Sequence, residues 1–359
     1  MRFLAVAGGV LLILFVLWDA FETIVLPRRV SRRFRLTRIF YVLTWGPWRA
    51  LGLRRRPGNP RENFLSIFGP LSLLLLLVIW ALALVFGFAL LHWGLGTRLV
   101  TPSGLGGFEA DLYFSGTTLV TLGLGDITPS TASARLLTFI ESGTGFGFLA
   151  LVVGYLPTLS QAFSRRETNI ALLDARAGSP PTAAELIRRH AGDDHGQSLG
   201  ELLHDWDVWS ADLLETHISF PVLAYYRSQH DNQSWVAGLT TVLDVCALII
   251  AGVEEGPVRS ARLTFAMARH AVADMSQIFR LKPRSSPSNR LPAGDLARLR
   301  EAMASAGMPL KDGIEVEERL ERIIRMYEPY VQALSLHLLM PVPGWVPPVG
   351  AKDNWQTTA

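Results

Sequence analysis

Residues 121–126 combine residue types that could coordinate a cation without water. Gly123 and Gly125 stand at alternate positions, and glycine adopts positive φ angles without a Cβ clash. The backbone can therefore turn successive carbonyl oxygens toward one axis, where they replace the hydration shell of an ion. Thr121 can add a hydroxyl oxygen at the inner end, while Asp126 can hold the outer end by hydrogen bonds and attract cations. The expected chemistry is reversible ion coordination.

The string from Thr118 to Asp126 resembles the selectivity filter of the potassium channel pore-domain superfamily. It contains the order Thr-x-Gly-x-Gly-Asp, with Tyr113-Phe114-Ser115 before it and Pro129 after it. It is similar to pore loops of animal two-pore-domain channels, some of whose second loops carry Phe or Leu at the place of Leu124. Elsewhere in the superfamily that place usually holds a bulky aromatic residue.

The resemblance implies a prokaryotic-type module of two transmembrane helices and one pore loop, with a helical cytoplasmic domain. The pore domain would occupy residues 63–163, with a short pore helix and filter in the loop 107–130. No cofactor is implied. The permeant K⁺ would be held by the backbone carbonyls of Thr121, Leu122, Gly123 and Leu124.

Three residues are predicted to support the filter, namely Thr117, Thr118 and Glu141. Some family members place a carboxylate where Thr117 stands, so a hydroxyl there predicts a weaker partner for Asp126. Leu124 can pack behind the filter but cannot hydrogen-bond as a tyrosine would. These departures leave a non-selective cation pore as an alternative.

Glu141 interrupts the apolar run that follows the filter. An ionisable group at membrane depth usually faces protein or water and marks a functional place. Glu141 could bind cations or tie down the pore helix from behind the filter. The alternative is a carboxylate that is buried for structural reasons and hydrogen-bonded to a neighbouring helix.

Apolar residues make up 49% of the 359 residues and are concentrated in the first 163. The runs 3–26 and 70–95 each exceed the roughly 20 residues that cross a bilayer core of about 30 Å. The run 134–163 is the third predicted span, and the fold class is an all-α membrane protein. The first run forms a separate domain, 1–27, and is interpreted as an uncleaved anchor because small residues at a cleavage spacing are missing.

The third span carries glycines that suit an inner pore helix. Gly143, Gly145 and Gly147 could permit a bend that opens a gate, and Pro157 could add a kink. The alternative is close helix packing through small residues, which membrane helices also use.

Arginine sets the predicted topology. The segment 28–62 contains only one acidic residue, Glu62, and many arginines, which places it in the cytoplasm. The N-terminus is then outside, the C-terminal domain is cytoplasmic, and the protein is multi-pass in the plasma (inner) membrane. Because the arginines flank aromatic residues and do not recur every third position in an apolar helix, we interpret the segment as an interfacial anchor on anionic lipid and not as a voltage sensor. These arginines are Arg28, Arg29, Arg32, Arg33, Arg35, Arg38, Arg49, Arg54, Arg55, Arg56 and Arg61.

Residues 164–342 are predicted to form a cytoplasmic helical domain, and residues 343–359 are predicted to form a disordered tail. Capping-box spacing occurs at Thr182 with Glu185 and at Ser198 with Glu201. A buried bundle helix is favoured over a fourth membrane span for 235–253. Further helices are predicted at 258–281, 295–306 and 314–340.

The ligand of this domain is not predicted by any motif. Strand alternation and glycine-rich nucleotide turns are missing after residue 164, which argues against a Rossmann-like regulatory domain or a cyclic-nucleotide β-roll. Two polar clusters are weak metal candidates, and Cys246 is the single cysteine, which excludes a disulfide within the chain. The clusters are His190, Asp193, Asp194 and His195, and His204, Asp205, Asp207 and Glu215.

One pore loop per chain predicts a homotetramer, because four loops must surround one axis. The leading hypothesis is a potassium channel, not an enzyme, with membrane lipid but no nucleic acid as a partner and with an unknown cytoplasmic gating ligand or partner. The alternatives are a non-selective cation channel and a non-conducting membrane-anchored sensor that binds a partner.

Overall fold

A computed structural model describes residues 1–26, 34–101, 106–190, 196–229, 232–254, 256–284 and 290–350. These residues are mostly helical, and the predicted all-α membrane fold is confirmed. The helices are α1 (Arg2–Ala20), α2 (Leu36–Leu53), α3 (Asn59–Ser66), α4 (Phe68–Leu95), α5 (Gly107–Leu119), α6 (Ala132–Ala177), α7 (Ala183–His190), α8 (Gln197–Ser219), α9 (Trp235–Gly252), α10 (Val258–Ile278), α11 (Ala293–Ser305), α12 (Ile314–Ile324) and α13 (Glu328–Leu338). A π-helical turn, Phe21–Val25, follows α1, a 3₁₀ helix covers Pro221–Tyr225, and two short strands are β1 (Leu99–Val100) and β2 (Thr128–Pro129).

The chain divides into two compact units. The first combines Met1–Trp48 with Ile67–Ser160, and the second combines Arg49–Ser66 with Gln161–Ala359. This division differs from the predicted domains 1–27 and 28–62, because α1 belongs to the same unit as the pore elements. The arginines at 28, 29, 32 and 33 lie outside the described residues.

Glycines bring α1 and α4 close together. A methyl group on Gly9 would lie 2.7 Å from the carbonyl oxygen of Gly87, and one on Gly87 would lie 2.7 Å from Ile13. Two turns further along α4, a methyl group on Gly94 would lie 2.7 Å from Val6. Small residues allow membrane helices to approach in this way, so α1 is part of the pore unit's packing.

Four helical stretches are long and apolar enough to cross a membrane, judged by length and composition. Within its best window, Trp235–Gly252 has 89% of its residues buried inside the protein. It therefore leaves little apolar surface for lipid, in agreement with the prediction of a bundle helix. The remaining stretches are Arg2–Val25, Asn59–Leu95 and Ala132–Ala177.

The inner helix α6 is longer than the sequence predicted. It runs without interruption from Ala132 to Ala177 and contains Pro157, whereas the expected end was residue 163. In its most apolar window only 11% of the residues are buried, against 33% for Arg2–Val25 and 44% for Asn59–Leu95. Within one chain, α6 thus presents most of its apolar surface outward.

Helices α8, α9, α10 and α13 form the core of the second unit. On α9, Leu243, Val245 and Cys246 are fully buried. The N-terminus of α7 is capped as predicted, since the backbone N–H of Glu185 donates to Thr182 Oγ1 at 3.4 Å. The second predicted capping box is wrong, because α8 begins at Gln197, before Ser198, with Gly196 as its N-cap.

The predicted helix 314–340 is two helices, α12 and α13. Pro329 lies in the first turn of α13, where its missing N–H is tolerated, but it could not continue the preceding helix. The predicted disordered tail is also wrong for residues 343–350. Trp345 is 1% exposed, and its carbonyl accepts a hydrogen bond from the backbone N–H of Ala184 at 3.0 Å. Burial of this indole fixes the segment, while residues 351–359 lie outside the described chain.

A buried ionic network joins this segment to the bundle. Arg290 donates to both carboxylate oxygens of Asp244 at 2.7 and 3.1 Å and to Glu328 at 2.9 Å. It also donates to the Pro343 carbonyl at 2.7 Å, and its guanidinium lies 5.5 Å from the Trp345 ring centroid. Asp244, which interrupts an apolar helix in the sequence, is therefore buried as a paired charge.

Candidate functional site: the loop between α5 and α6

The predicted filter strand, residues 121–126, begins where α5, the predicted pore helix, ends. The backbone N–H of Leu122 donates to the Thr117 carbonyl at 2.8 Å, and that of Thr121 donates to the Thr118 carbonyl at 3.0 Å. The N–H of Gly123 also reaches the Thr117 carbonyl, at 3.4 Å. The last turn of a helix has carbonyls without helical partners, and here they fix three successive amides of the filter.

Every second residue of the predicted filter strand has a positive φ angle. The φ angles of Thr121, Gly123 and Gly125 are +57°, +57° and +79°, so every second residue is left-handed. The sequence predicted this freedom for the two glycines. Thr121 is the unexpected member, because a β-branched residue rarely adopts positive φ and such strain is concentrated at functional sites.

The predicted filter leaves its backbone carbonyls without donors in the described part of the chain. Among the described residues, none of the carbonyls of 121–124 accepts a hydrogen bond within the chain. All six residues 121–126 are exposed in one chain, and the side chains of Leu122 and Leu124 are 59% and 58% exposed. A single chain therefore supplies a strand of oriented amides but does not enclose it.

Asp126 has a partner that the sequence reasoning missed. Tyr113, on the pore helix, donates its hydroxyl to Asp126 Oδ2 at 2.8 Å, and the backbone N–H of Ile127 donates to Oδ1 at 3.0 Å. Thr117, the expected weak partner, instead donates its hydroxyl to the Phe114 carbonyl at 3.0 Å. Thr117 and Thr118 contact the filter through their backbone carbonyls. In the sequence, Tyr113 was named only as part of the segment that resembles the channel family, and its bond to Asp126 was not predicted.

The outer side of the loop is held by a small apolar cluster. Ala110, Phe114 and Ile127 are buried together, with Leu99 packed against them. Strands β1 and β2 pair antiparallel, with Leu99 opposite Pro129. This pairing fixes the chain that leaves the filter to the chain that follows α4.

Glu141 lies in the α4–α6 contact and is fully buried. Its Oε2 lies 3.2 Å from Nε2 of His92 on α4, which is also fully buried. The predicted alternative of a carboxylate hydrogen-bonded to a neighbouring helix therefore describes its contact. His92 was not singled out in the sequence, although a histidine in an apolar run is a signal of the same kind as Glu141.

The three glycines of α6 differ in their surroundings. A methyl group on Gly145 would overlap the Leu119 carbonyl oxygen and lie 2.7 Å from the Leu119 carbonyl carbon. Gly143 and Gly147 have open space around them within the chain, and Pro157 lies inside the continuous helix. Gly145 therefore permits close packing against the end of the pore helix, while the hinge function of the set stays a prediction.

A second buried polar cluster lies around Asp19, at the C-terminal end of α1. Asp19 is fully buried, and its Oδ2 accepts from the Thr37 backbone N–H at 3.0 Å, from the Thr37 hydroxyl at 2.6 Å and from Trp80 Nε1 at 3.2 Å. Arg35 lies 3.4 Å from Glu22 and 3.8 Å from Asp19. Asp19 therefore caps the start of α2 and ties it to α1 and α4. An acidic residue in an apolar run was the available signal.

The structure does not support the two candidate metal sites that the sequence suggested in the second unit. Asp193, Asp194 and His195 lie outside the described residues, and His190 Nδ1 contacts the Leu186 carbonyl at 2.9 Å. The side chains of the second cluster do not come together as a metal site, since the described part of the chain contains no group of three or more metal-binding side chains. Its four members are His204, Asp205, Asp207 and Glu215.

Residues 74–161 match a protein-family model described as "Ion channel". The match begins in α4, contains the pore helix and the filter strand, and ends in α6. Residues 74–161 are thus similar to an ion-channel domain. The predicted resemblance to a pore module is confirmed at the level of this family.

The chain is also similar to the "Uncharacterized membrane protein YdjJ" of Bacillus subtilis (strain 168). The two are 26% identical over 222 residues, which cover 58% of this chain and 60% of the relative. The chain thus spans less than two thirds of that relative's length. No solved structure matches. Together with the ion-channel domain, the relative supports a multi-pass membrane protein.

Proposed function

We propose that the chain is the subunit of a homotetrameric potassium channel that conducts K⁺ passively through the backbone carbonyls of 121–124. The observation that carries the proposal is the alternating left-handed backbone at Thr121, Gly123 and Gly125. Three successive filter amides point back to the pore helix, which supports an arrangement with the carbonyls on the opposite side. A ring of such carbonyls can replace the hydration shell of K⁺.

Assembly into a tetramer is supported by the exposure of the filter and of α6. Leu122 and Leu124 are more than half exposed, as are Phe139, Phe146 and Leu149 on the inner helix. The strand 121–124 needs identical strands around one axis to enclose an ion, and those subunits together with lipid can cover α6. In a tetramer, each of the four chains contributes one filter strand to a closed ring around the pore axis.

The proposed orientation places the N-terminus outside and the second unit in the cytoplasm of a bacterial inner membrane. The arginines of 34–62 support it, since cytoplasmic loops are enriched in arginine and lysine. A cysteine introduced by Lys282→Cys should react with a membrane-impermeant maleimide in inverted vesicles but not in intact cells. The reverse pattern would overturn the orientation.

Ion flux into liposomes that contain the purified full-length protein tests conduction. We expect K⁺ influx to exceed Na⁺ influx by at least about tenfold, a difference of about 1.4 kcal/mol in barrier height. Gly123→Ala should abolish the flux, because alanine at φ +57° is strained and would shift the backbone away from this conformation. Gly8→Ala is the matched control, since Gly8 lies in α1 with open space around it.

The outcomes separate the alternatives. Equal K⁺ and Na⁺ fluxes would support the non-selective channel, for which the exposed Leu124 without a hydroxyl is the specific observation. Complete lack of flux would support a non-conducting sensor. A particle mass other than four chains would contradict the tetramer.

A further inference from the structure

A buried pair, His92 and Glu141, connects two helices behind the pore helix. Nε2 of His92 and Oε2 of Glu141 are 3.2 Å apart, and neither side chain is exposed. A buried polar group that loses its partner destabilises the fold, because burial has already removed its contact with water. The two residues therefore fix the relative position of α4 and α6 at this depth.

The pore helix takes part in the same contact. The ring of Phe114 stands edge-on to the His92 imidazole, with centroids 5.2 Å apart and planes at 88°. Ser115 on the same helix is also fully buried, and its hydroxyl has no hydrogen-bond partner among the described residues. Thus α4, α5 and α6 converge on two polar side chains.

The imidazole of His92 is fixed at both nitrogens. Nδ1 lies 2.8 Å from the Thr97 hydroxyl, while Nε2 faces Glu141. A ring held at both ends keeps its orientation. One helical turn after Glu141, Gly145 lies against the Leu119 carbonyl, so the same face of α6 contacts α4 through Glu141 and the end of the pore helix through Gly145.

We propose that His92 and Glu141 are positioning residues for ion selectivity. The filter amides of 121–123 are fixed by the carbonyls of Thr117 and Thr118, so a small rotation of α5 would move the filter backbone with it. The pair restrains that rotation through the contact of His92 with Phe114. This inference rests on the proposed conduction of K⁺.

The test compares four variants of the full-length protein in liposomes by the ratio of K⁺ to Na⁺ flux. His92→Leu and Glu141→Leu should each lower the ratio about tenfold, the equivalent of losing one hydrogen bond of roughly 1.4 kcal/mol. Glu141→Gln is the conservative variant, because its amide can still pair with the imidazole, and it should restore most of the ratio. The double variant His92→Leu/Glu141→Leu removes both members of the pair together, so neither is left buried without the other, and it should assemble while its ratio stays low.

Two results would overturn the inference. A double variant with the ratio of the unmodified protein would show that the pair serves packing alone, and unchanged ratios in both single leucine variants would show that it does not restrain the filter. Lack of K⁺ flux in the unmodified protein would instead overturn the proposed function. Particle mass, measured for each variant, separates lost assembly from lost selectivity.

Discussion

At the scale of single residues, the two ends of the filter strand are held by different forces. Thr121 is left-handed at φ +57°, a conformation that costs a β-branched residue about 1–3 kcal/mol. The hydrogen bond that its backbone N–H donates to the Thr118 carbonyl opposes that strain. Asp126 is held by the Tyr113 hydroxyl and by the backbone N–H of Ile127. The outer end therefore depends on one side chain of the pore helix.

Removal of the Tyr113 hydroxyl should weaken that anchor. Tyr113→Phe keeps the ring but deletes the donor to Asp126, and a hydrogen bond to a charged group contributes about 1.5–3 kcal/mol, less at an exposed site. We expect the K⁺ to Na⁺ flux ratio to fall about fivefold, measured in liposomes. Tyr330→Phe in the second unit is the matched control, and an equal effect of both variants would contradict the anchor.

At the scale of elements, the contact between α6 and the end of α5 depends on a glycine. The Leu119 carbonyl occupies the space that a side chain at position 145 would need. Because α6 is otherwise little buried within one chain, this contact and the His92–Glu141 pair are two of the places where the inner helix meets the pore helix and α4. The inner helix is thus joined to the filter at short range.

Gly145→Ala should disturb the filter although residue 145 lies outside it. Overpacking of a tight contact costs about 1–3 kcal/mol, and more where backbone must shift. We expect the variant to lose flux on heating at a temperature several degrees lower, with about 4 °C per kcal/mol as the guide. Gly154→Ala on the same helix is the control, because open space surrounds Gly154 within the chain. Identical heat inactivation of both variants would refute the contact.

At the scale of the whole molecule, the second unit contains a titratable group that is buried uncharged. Burial, aided by the positive charge of Arg166, lowers the pKa of His217 to about 3. His217 is fully buried, and its Nδ1 contacts the Leu213 carbonyl at 2.7 Å. The folded unit therefore keeps a neutral imidazole at pH values where an unfolded chain would be protonated.

The stability of the second unit should fall as the pH falls below about 6.5, the pKa of histidine in an unfolded chain. The unfolded state binds the proton first, so the free energy of unfolding falls by up to about 1.4 kcal/mol per pH unit until the folded pKa is reached. Urea unfolding of the full-length protein in detergent at pH 7.5, 6.5 and 5.5 measures this slope. His217→Gln should flatten it, and an unchanged slope in that variant would exclude His217 as its source.

The sequence alone was enough for the local features of this protein. Apolar length indicated the pore unit's spans, and alternate glycines at 123 and 125 indicated a filter strand. Both signals are local, because a span needs only consecutive apolar residues and a carbonyl ladder needs only a permissive backbone. The helix ends near Pro329 and the burial of Trp345 were not predicted, because both depend on tertiary packing and not on local sequence.

Only the tertiary structure decided the partners. Tyr113 with Asp126, His92 with Glu141, and Gly145 with Leu119 are separated in the chain and meet because α4, α5 and α6 pack together. Hydrogen bonds and steric contacts act over a few ångströms, so sequence spacing between different helices carries no information about them. The residues that could coordinate an ion were visible in the sequence, while the side chains that hold them in place became visible only in the fold.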